Sequence, residues 1–402
     1  MNNEIRAQFP ALQRVHQGKS MVFLDGPAGS QVPEMVIEAI AQYYRTSNAN
    51  SHGHFITTQE TDQMIETCRE KLATFLGAPG GHCISLGANM TSLNFSLAQA
   101  IVKGLQTGDE ILITQLDHEA NRGPWLSLRD WGIIVREVAL LPNGQLDYVD
   151  FAQKINENTR LVALGMASNI FGTVNDVAKV RELSHQVGAW LLLDAVHYAP
   201  HFPIDVQQLD CDFLLCSAYK FYGPHVGILY TREGLLDRLQ PHRLRTADQM
   251  APYSIETGTQ NHAALAGTSA AIDFMAHLGE GSHLREQLED AFTKIEAHEK
   301  ALALQLYQGL QELALTEVIG PDYTSGPRSP TLSFTYKGKT PAEICHLLGQ
   351  KNICAWDGHF YALRAIEVLG LLPRGGVTRM GVSLYTTKEE VDFTLEVLGS
   401  LA

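Results

Sequence analysis

Apolar residues fall into two rhythms that alternate from about residue 30 to about residue 275. PEMVIEAIAQYYR, with Pro33 near its start, and TDQMIETCREKLATFLGA, closed by Gly77, carry helical spacing. Seven short apolar runs follow: CISL, EILIT, IIVREV, RLVALGMA, WLLLDAV, FLLCS and VGILYT. Most are separated by helix-like stretches such as TSLNFSLAQAIVKGL and DVAKVRELSHQVG. Short, nearly continuous apolar strands alternating with helices predict an α/β fold built on a mostly parallel sheet buried on both faces. The rhythm then changes. GSHLREQLEDAFTKIEAHEKALALQLYQGLQEL reads as one long helix and RSPTLSFTYK as a half-buried strand. PAEICHLLGQKN reads as a short helix and VTRMGVSLY as a further strand. The expected division is a large domain over residues 20–275 and a smaller α+β domain formed by 276–402 together with 1–19.

Composition narrows the function classes. The 402 residues carry a formal net charge of -14 with no Lys/Arg block, which argues against nucleic acid and anionic membrane surfaces as partners. No apolar run approaches the roughly 20 residues of a membrane helix. The opening MNNEIRAQFPALQRVHQGKS has no apolar core of a secretory signal. Six scattered cysteines without a CxxC pair fit free thiols in a reducing cytoplasm, the expected location.

Ligands of open α/β sheets bind at the carboxyl ends of the strands, so the residues after each apolar run matter most. CISL is followed by GANMTSLNF, a glycine, small polar residues and a helix start. That is either an anion cradle or an ordinary N-cap. It matches neither GxGxxG nor GxxxxGK[ST]. EILIT leads to QLDHEANRGPW, where Asp117, His118 and Glu119 form a solvated turn or a functional cluster. His52 and His54 lie in SHGHF, but neither group has a recognised metal-ligand spacing, and no metal is expected. WLLLDAVHYAP places Asp194 after four large apolar residues. A carboxylate there needs a cationic or donor partner, either a structural salt bridge or a charged ligand. FLLCSAYKFYGP places Lys220 among aromatic residues. It is either a snorkelling loop lysine or a desolvated, neutral amine able to attack a carbonyl. Taken together, an anion cradle, a ring-stacking group, a buried carboxylate and a reactive lysine are what pyridoxal 5'-phosphate requires.

The run LLLDAVHYAPHFPIDVQQLDCDFLLCSAYKFYGPHVGILYTR resembles the cofactor segment of class V aminotransferases. These are fold-type I pyridoxal-phosphate enzymes that include cysteine desulfurases, selenocysteine lyases and isopenicillin N epimerase. VFLDGPAGSQVP, LDHEANRGPW, SNIFGT and ETGTQN resemble further motifs of the family, so the likeness spans nearly the whole chain. The resemblance implies a fold-type I architecture, with a seven-stranded, mostly parallel sheet in the large domain and a smaller α+β C-terminal domain. It implies that Lys220 binds the cofactor's aldehyde, Asp194 the pyridine nitrogen, and that His118 stacks on the ring. Asn169 would lie beside the phenolic oxygen. Ala88, Asn89 and Met90 would cradle the phosphate with the Ser217 hydroxyl. Thr259 would reach the phosphate of a neighbouring subunit, making the protein a homodimer. Arg379 would bind the carboxylate of a small amino-acid substrate, as a bidentate guanidinium can. His52 is placed with the substrate pocket.

Three departures stand out. His197 replaces a usual glutamine near the phenolic oxygen, and Tyr219 replaces the usual histidine before the lysine. Where one desulfurase branch carries a Gly-His-His-Cys loop, this chain has Gly358-His359-Phe360-Tyr361. Tyr361 therefore stands in the place of the nucleophilic cysteine, and His359 and Tyr361 are expected to line the substrate pocket. A phenol, with an ordinary pKa of about 10, does not accept sulfane sulfur as a thiolate does. Cys354 is expected to be structural, within a strand. The expected activity is a desulfurase-like lyase, breaking C–S or C–Se bonds or catalysing another β-elimination, without a protein persulfide. The alternatives are an aminotransferase or epimerase of the same family, a non-catalytic scaffold, and, more remotely, a metal hydrolase using His52, His54 and His118.

Overall fold

The computed structural model describes residues 3–323 and 326–401. Seven strands form its main sheet: β1 (Ile84–Gly87), β2 (Glu110–Thr114), β3 (Ile134–Val138), β4 (Thr159–Gly165), β5 (Trp190–Asp194), β6 (Phe213–Ser217) and β7 (Gly227–Thr231). Their order across the sheet is β1-β7-β6-β5-β4-β2-β3, and only β7 runs antiparallel to its neighbours. These are the seven apolar runs of the sequence. Successive side chains of a strand point to opposite faces. Accordingly Leu112, Val162, Leu164, Leu191, Leu193, Leu214 and Cys216 enter one apolar cluster. Their alternates Ile111, Ile113, Leu161, Ala163, Leu192, Phe213 and Leu215 enter another on the far face. Except on the edge strand β3, where Ile134 and Arg136 are exposed, both faces are buried, which is why the strands read as continuous rather than alternating. The chain thus has the fold-type I α/β architecture.

Helices supply the covering layers. Glu34–Thr46 begins just after Pro33, and Ile56–Leu76 ends at Gly77, whose φ of 66° is the left-handed cap glycine adopts readily. Met90–Ile101 follows β1, and Asn89 caps it by accepting the Ser92 amide. Leu284–Glu312 is the long predicted helix. Its first half buries Leu288, Phe292 and Ile295 against the main core. Its second half buries Leu302, Leu306 and Leu310 in a separate cluster. One helix therefore staples two cores.

That second core lies on a four-stranded antiparallel sheet, β8 (Thr316–Ile319), β9 (Thr331–Tyr336), β10 (Trp356–Gly358) and β11 (Val377–Gly381), ordered β8-β9-β11-β10. β9 is buried at every position, not half-buried as its polar residues predict. Its Ser333 hydroxyl is satisfied by the Ile170 carbonyl and Thr331 by His197, so polar side chains stand inside without orphaned groups. The N-terminal residues pack against both cores. Phe9 and Leu12 join the main core, where Phe9 meets Tyr222, Phe274 and Tyr385 edge-on. Val22 and Leu24 join the second core, and Val22–Phe23 pairs with Ile353–Cys354. The segment before residue 20 also touches the C-terminal part: Arg6 pairs with Glu390, and the Asn352 side chain donates to the His16 and Lys19 carbonyls. No helix among the described residues is long and apolar enough to cross a membrane.

Candidate active site

A cavity of about 710 Å³ opens at the carboxyl ends of the parallel strands. Strand register brings its parts together. Gly165, Asp194 and Leu215 share one row of the sheet, and Gly87, Gly227 and Ser217 another. Gly227 is required by close approach: a Cβ there would lie 2.3 Å from the Asn89 carbonyl carbon. Strand and helix start are thereby packed backbone to backbone.

Lys220 follows β6 in a single helical turn, Ala218–Lys220, and is buried. Its ammonium donates to the carbonyls of Pro27 and, at 3.1 Å, Ala28, with the Tyr219 ring 5.2 Å away. Burial, with the nearby Arg379 charge, pulls its pKa down to about 7, while Asp194 opposes the shift. Asp194 ends β5, and its Oδ1 accepts the Val196 amide at 2.9 Å. Burial raises its pKa to about 6, tempered by that amide and by Lys220. Its second oxygen has no partner among the described residues.

His118 caps the turn Glu119–Asn121 by accepting the Ala120 amide on Nδ1 at 3.0 Å. Burial, then the Lys220 and Arg379 charges, lowers its pKa to about 4, so the ring is neutral. Beside it Asp117 is a buried carboxylate holding the Gly165 amide and the Asn121 side chain at 3.0 and 3.1 Å. Burial and the Asp194 charge raise its pKa to about 7. The sequence marks Asp117 only as part of a polar triplet, because its proximity to Asp194 arises across the sheet.

The anion cradle differs in detail from expectation. The Met90 amide donates to Ser217 Oγ at 3.1 Å, and the Ser92 amide is taken by Asn89. The amides of Asn89 and Thr91 remain as first-turn donors for an anion. Asn89, Met90, Thr91 and Ser217 line the cavity, whereas Ala88 is exposed outside it. The Ser217 hydroxyl, accepting from Met90, keeps its own proton for a ligand.

Arg379 lies on β11 opposite Trp356, with one guanidinium nitrogen donating to the Asn169 carbonyl at 2.8 Å. The Phe360 ring covers its charged centre at 3.9 Å. Burial lowers its pKa to about 9, against the pull of Tyr219 and Asp25. The Asn169 side-chain amide donates to the Phe360 carbonyl at 2.9 Å, so one of its two protons is committed to the loop rather than the cavity. His197 lines the cavity with its Nε2 on Thr331 at 2.9 Å, and burial holds it neutral. Tyr219 stacks on His225 at 4.8 Å. Tyr361 lines the cavity 5.4 Å from the His118 ring.

Besides Ala88, three assigned residues lie outside this chain's cavity. His52 is exposed at a left-handed φ of 66° near Asp62, in the turn before Ile56–Leu76. His359 is exposed and accepts the Tyr361 amide, so its ring serves the turn rather than the pocket. Thr259 is exposed in the loop before His262–Ala276. Cys354 lies in a two-residue strand and does not line the cavity, and burial raises its thiol to about 11. Among the described residues no cysteine lines the cavity and no His/Cys/Asp/Glu group could hold a metal ion. Sequence reasoning missed Phe95, Trp356 and the Pro27 and Ala28 carbonyls; the last two sit in the quoted VFLDGPAGSQVP motif, but backbone acceptors leave no side-chain signature.

The sequence pattern of aminotransferase class-V matches residues 22–393. The chain belongs to that family. It is a pyridoxal-phosphate-dependent enzyme, and the site fits the cofactor: a buried carboxylate oxygen lacks a partner, a lysine is depressed toward neutrality, and a helix start is left with donors. Similar proteins include a cysteine desulfurase of Pectobacterium atrosepticum, 31% identical, covering 96% of this chain and 95% of that one. An apo cysteine desulfurase from Thermococcus onnurineus NA1 has a TM-score of 0.89 at 26% identity, covering 99% and 97%. The Escherichia coli cysteine desulfurase CsdA, in its S-sulfonic acid form, has a TM-score of 0.86 at 30% identity over the same shares. This class-V enzyme shares their fold through both lobes.

Proposed function

We propose that this class-V enzyme is a desulfurase-like lyase that breaks the bond between Cβ and sulfur or selenium in a small amino acid, without forming a protein persulfide. The observation that carries the reading is a cavity that gathers Lys220, Asp194 and His118 but offers Tyr361, and no thiol, at its mouth. When bound, pyridoxal phosphate supplies an electron sink conjugated to the substrate's α-carbon.

The chain's residues then take the following roles. Lys220 would hold the cofactor's aldehyde and is placed to act as the base for the substrate's α-proton; without the cofactor its pKa is pulled down to about 7. Asp194 would offer its unpartnered oxygen to the pyridine nitrogen and keep it protonated. Neutral His118 would stack on the ring. Asn89, Thr91 and Ser217 would hold the phosphate, and Thr259 would complete that site in a neighbouring subunit of a homodimer. Asn169, His197 and Tyr219 would border the ring. Arg379 receives the substrate carboxylate, its guanidinium already oriented by Asn169 and Phe360. The domain division about residue 275 and a cytoplasmic location are part of the same reading.

Product analysis tests it. Holoenzyme should release pyruvate and ammonia together with sulfide from L-cysteine, thiocysteine from L-cystine and selenide from L-selenocysteine. Keto acid formed without elimination would indicate an aminotransferase, and inversion at the α-carbon an epimerase; either outcome sinks the lyase reading.

A further inference from the structure

The mouth of the cavity carries three large aromatic side chains that the described residues leave partly exposed. Phe95 on Met90–Ile101, Trp356 on β10 and Tyr361 line the same cavity and are 43%, 52% and 67% exposed. Aromatic faces gathered at the rim of a concave site mark a ligand surface rather than incidental exposure.

Tyr361 is also fixed in place. Phe360 and Tyr361 both adopt left-handed backbone, φ 52° and 59°, a conformation non-glycine residues adopt only where their surroundings enforce it. The turn persists because it is bolted down. The Tyr361 carbonyl accepts the Glu119 amide at 2.7 Å, and the Phe360 carbonyl accepts Asn169 at 2.9 Å. Phe360 caps Arg379. Just beyond, Arg364 holds Glu137 at 3.0 Å, and Glu137 holds Arg122 at 2.5 Å, in the segment that carries His118. The backbone that carries this part of the aromatic wall is therefore preformed.

We propose that the substrates are cysteine thioethers whose sulfur carries a flat apolar group, S-arylmethyl or S-aryl cysteines, and that Phe95, Trp356 and Tyr361 receive this group. The inference rests on the lyase reading and deepens it. Without a protein thiolate to take the sulfur, the sulfur must leave bonded to its own substituent. The α-proton goes to Lys220, the Cα–H electron pair becomes the Cα=Cβ bond, and the Cβ–S pair leaves on sulfur. The thiolate takes a proton, and water hydrolyses the released enamine. The sum is R–S–CH2–CH(NH3+)–COO− plus water giving R–SH, pyruvate and ammonium, with no oxidant or reductant.

The test gives holoenzyme S-benzyl-L-cysteine, S-methyl-L-cysteine and L-cysteine and measures kcat/KM from pyruvate release, with binding followed by the cofactor's absorbance. The expected preference for S-benzyl over S-methyl is about tenfold, the scale of burying one ring against aromatic faces. In Trp356→Ala or Phe95→Ala that ratio should collapse, and Trp356→Phe should restore it. Both side chains are partly exposed, so folding survives the changes. Equal use of the three substrates, rejection of S-benzyl-L-cysteine because a second copy of the chain covers the rim, or a preference unmoved by the rim variants would overturn the thioether inference. In those cases pyruvate from L-cysteine would still uphold the lyase reading. Alanine from L-cysteine, or no pyruvate from any substrate, would remove the reading itself.

Discussion

At the scale of single residues, one lysine decides whether this site works. Lys220 is surrounded by carbon and carbonyls, and its pKa falls to about 7 because burial and Arg379 outweigh Asp194. The sign follows directly: a lowered pKa makes the neutral, reactive amine dominant above about pH 7 rather than above the ordinary ~10.4. Condensation of the apoprotein with pyridoxal phosphate, followed by absorbance, should therefore accelerate from pH 6 to 8 and level off. A rate still rising steeply above pH 9 would show an ordinary lysine. Lys220→Ala should abolish the borohydride-bleached absorbance band. Lys220, Asp194 and His118 were legible in the sequence because each stands just past a strand, where the sheet itself implies convergence. The Asn169–Phe360 and Arg379–Phe360 contacts were not legible, since they join residues about 190 and 20 positions apart whose types alone promise nothing.

At the scale of elements, β1 and the loop before His262–Ala276 are pinned by one buried ion pair. Arg69 meets Glu256 through two bonds, 2.7 and 2.9 Å, and Glu256 also accepts the Leu86 amide at 2.7 Å. Removing one partner strands the other charge, which costs about 3–5 kcal/mol. Arg69→Ala should lower Tm clearly in thermal melts, whereas removing the exposed Arg45–Glu38 pair should leave it nearly unchanged. An equal effect of the two would contradict the burial argument. Gly227→Ala tests the strand–helix contact. Its Cβ must push Asn89 away, so cofactor retention through gel filtration should fall even where the circular dichroism spectrum is kept. Element types were readable throughout because their apolar rhythms are strong. β9 misled because its Ser and Thr residues imitate an exposed face while they bond to neighbouring backbone and to His197.

At the scale of the whole molecule, two cores share one helix, Leu284–Glu312, and the cavity lies where they meet. Arg379 and Trp356 come from the smaller sheet, and Lys220, Asp194 and His118 from the larger. The alternating rhythm announces the larger sheet, but the division of Phe9 and Val22 between the two cores depends on packing that no local pattern encodes. If Thr259 serves a neighbouring subunit, light scattering should give a dimer. Thr259→Ala should then weaken cofactor affinity about tenfold with the dimer intact, the effect of losing one hydrogen bond to a charged group. Unchanged affinity would assign Thr259 no part in the site.

The proposed function turns on Tyr361, where the resemblance to one desulfurase branch implies a cysteine, diverting the reaction from sulfur transfer to elimination. Intact-protein mass spectrometry during turnover of L-cysteine, with parallel assay of pyruvate and alanine, tests it most directly. The account predicts pyruvate and free sulfide, with no cysteine of the protein gaining a sulfur atom. Alanine formed together with a persulfide, at Cys354 or any other of the six cysteines, would contradict it.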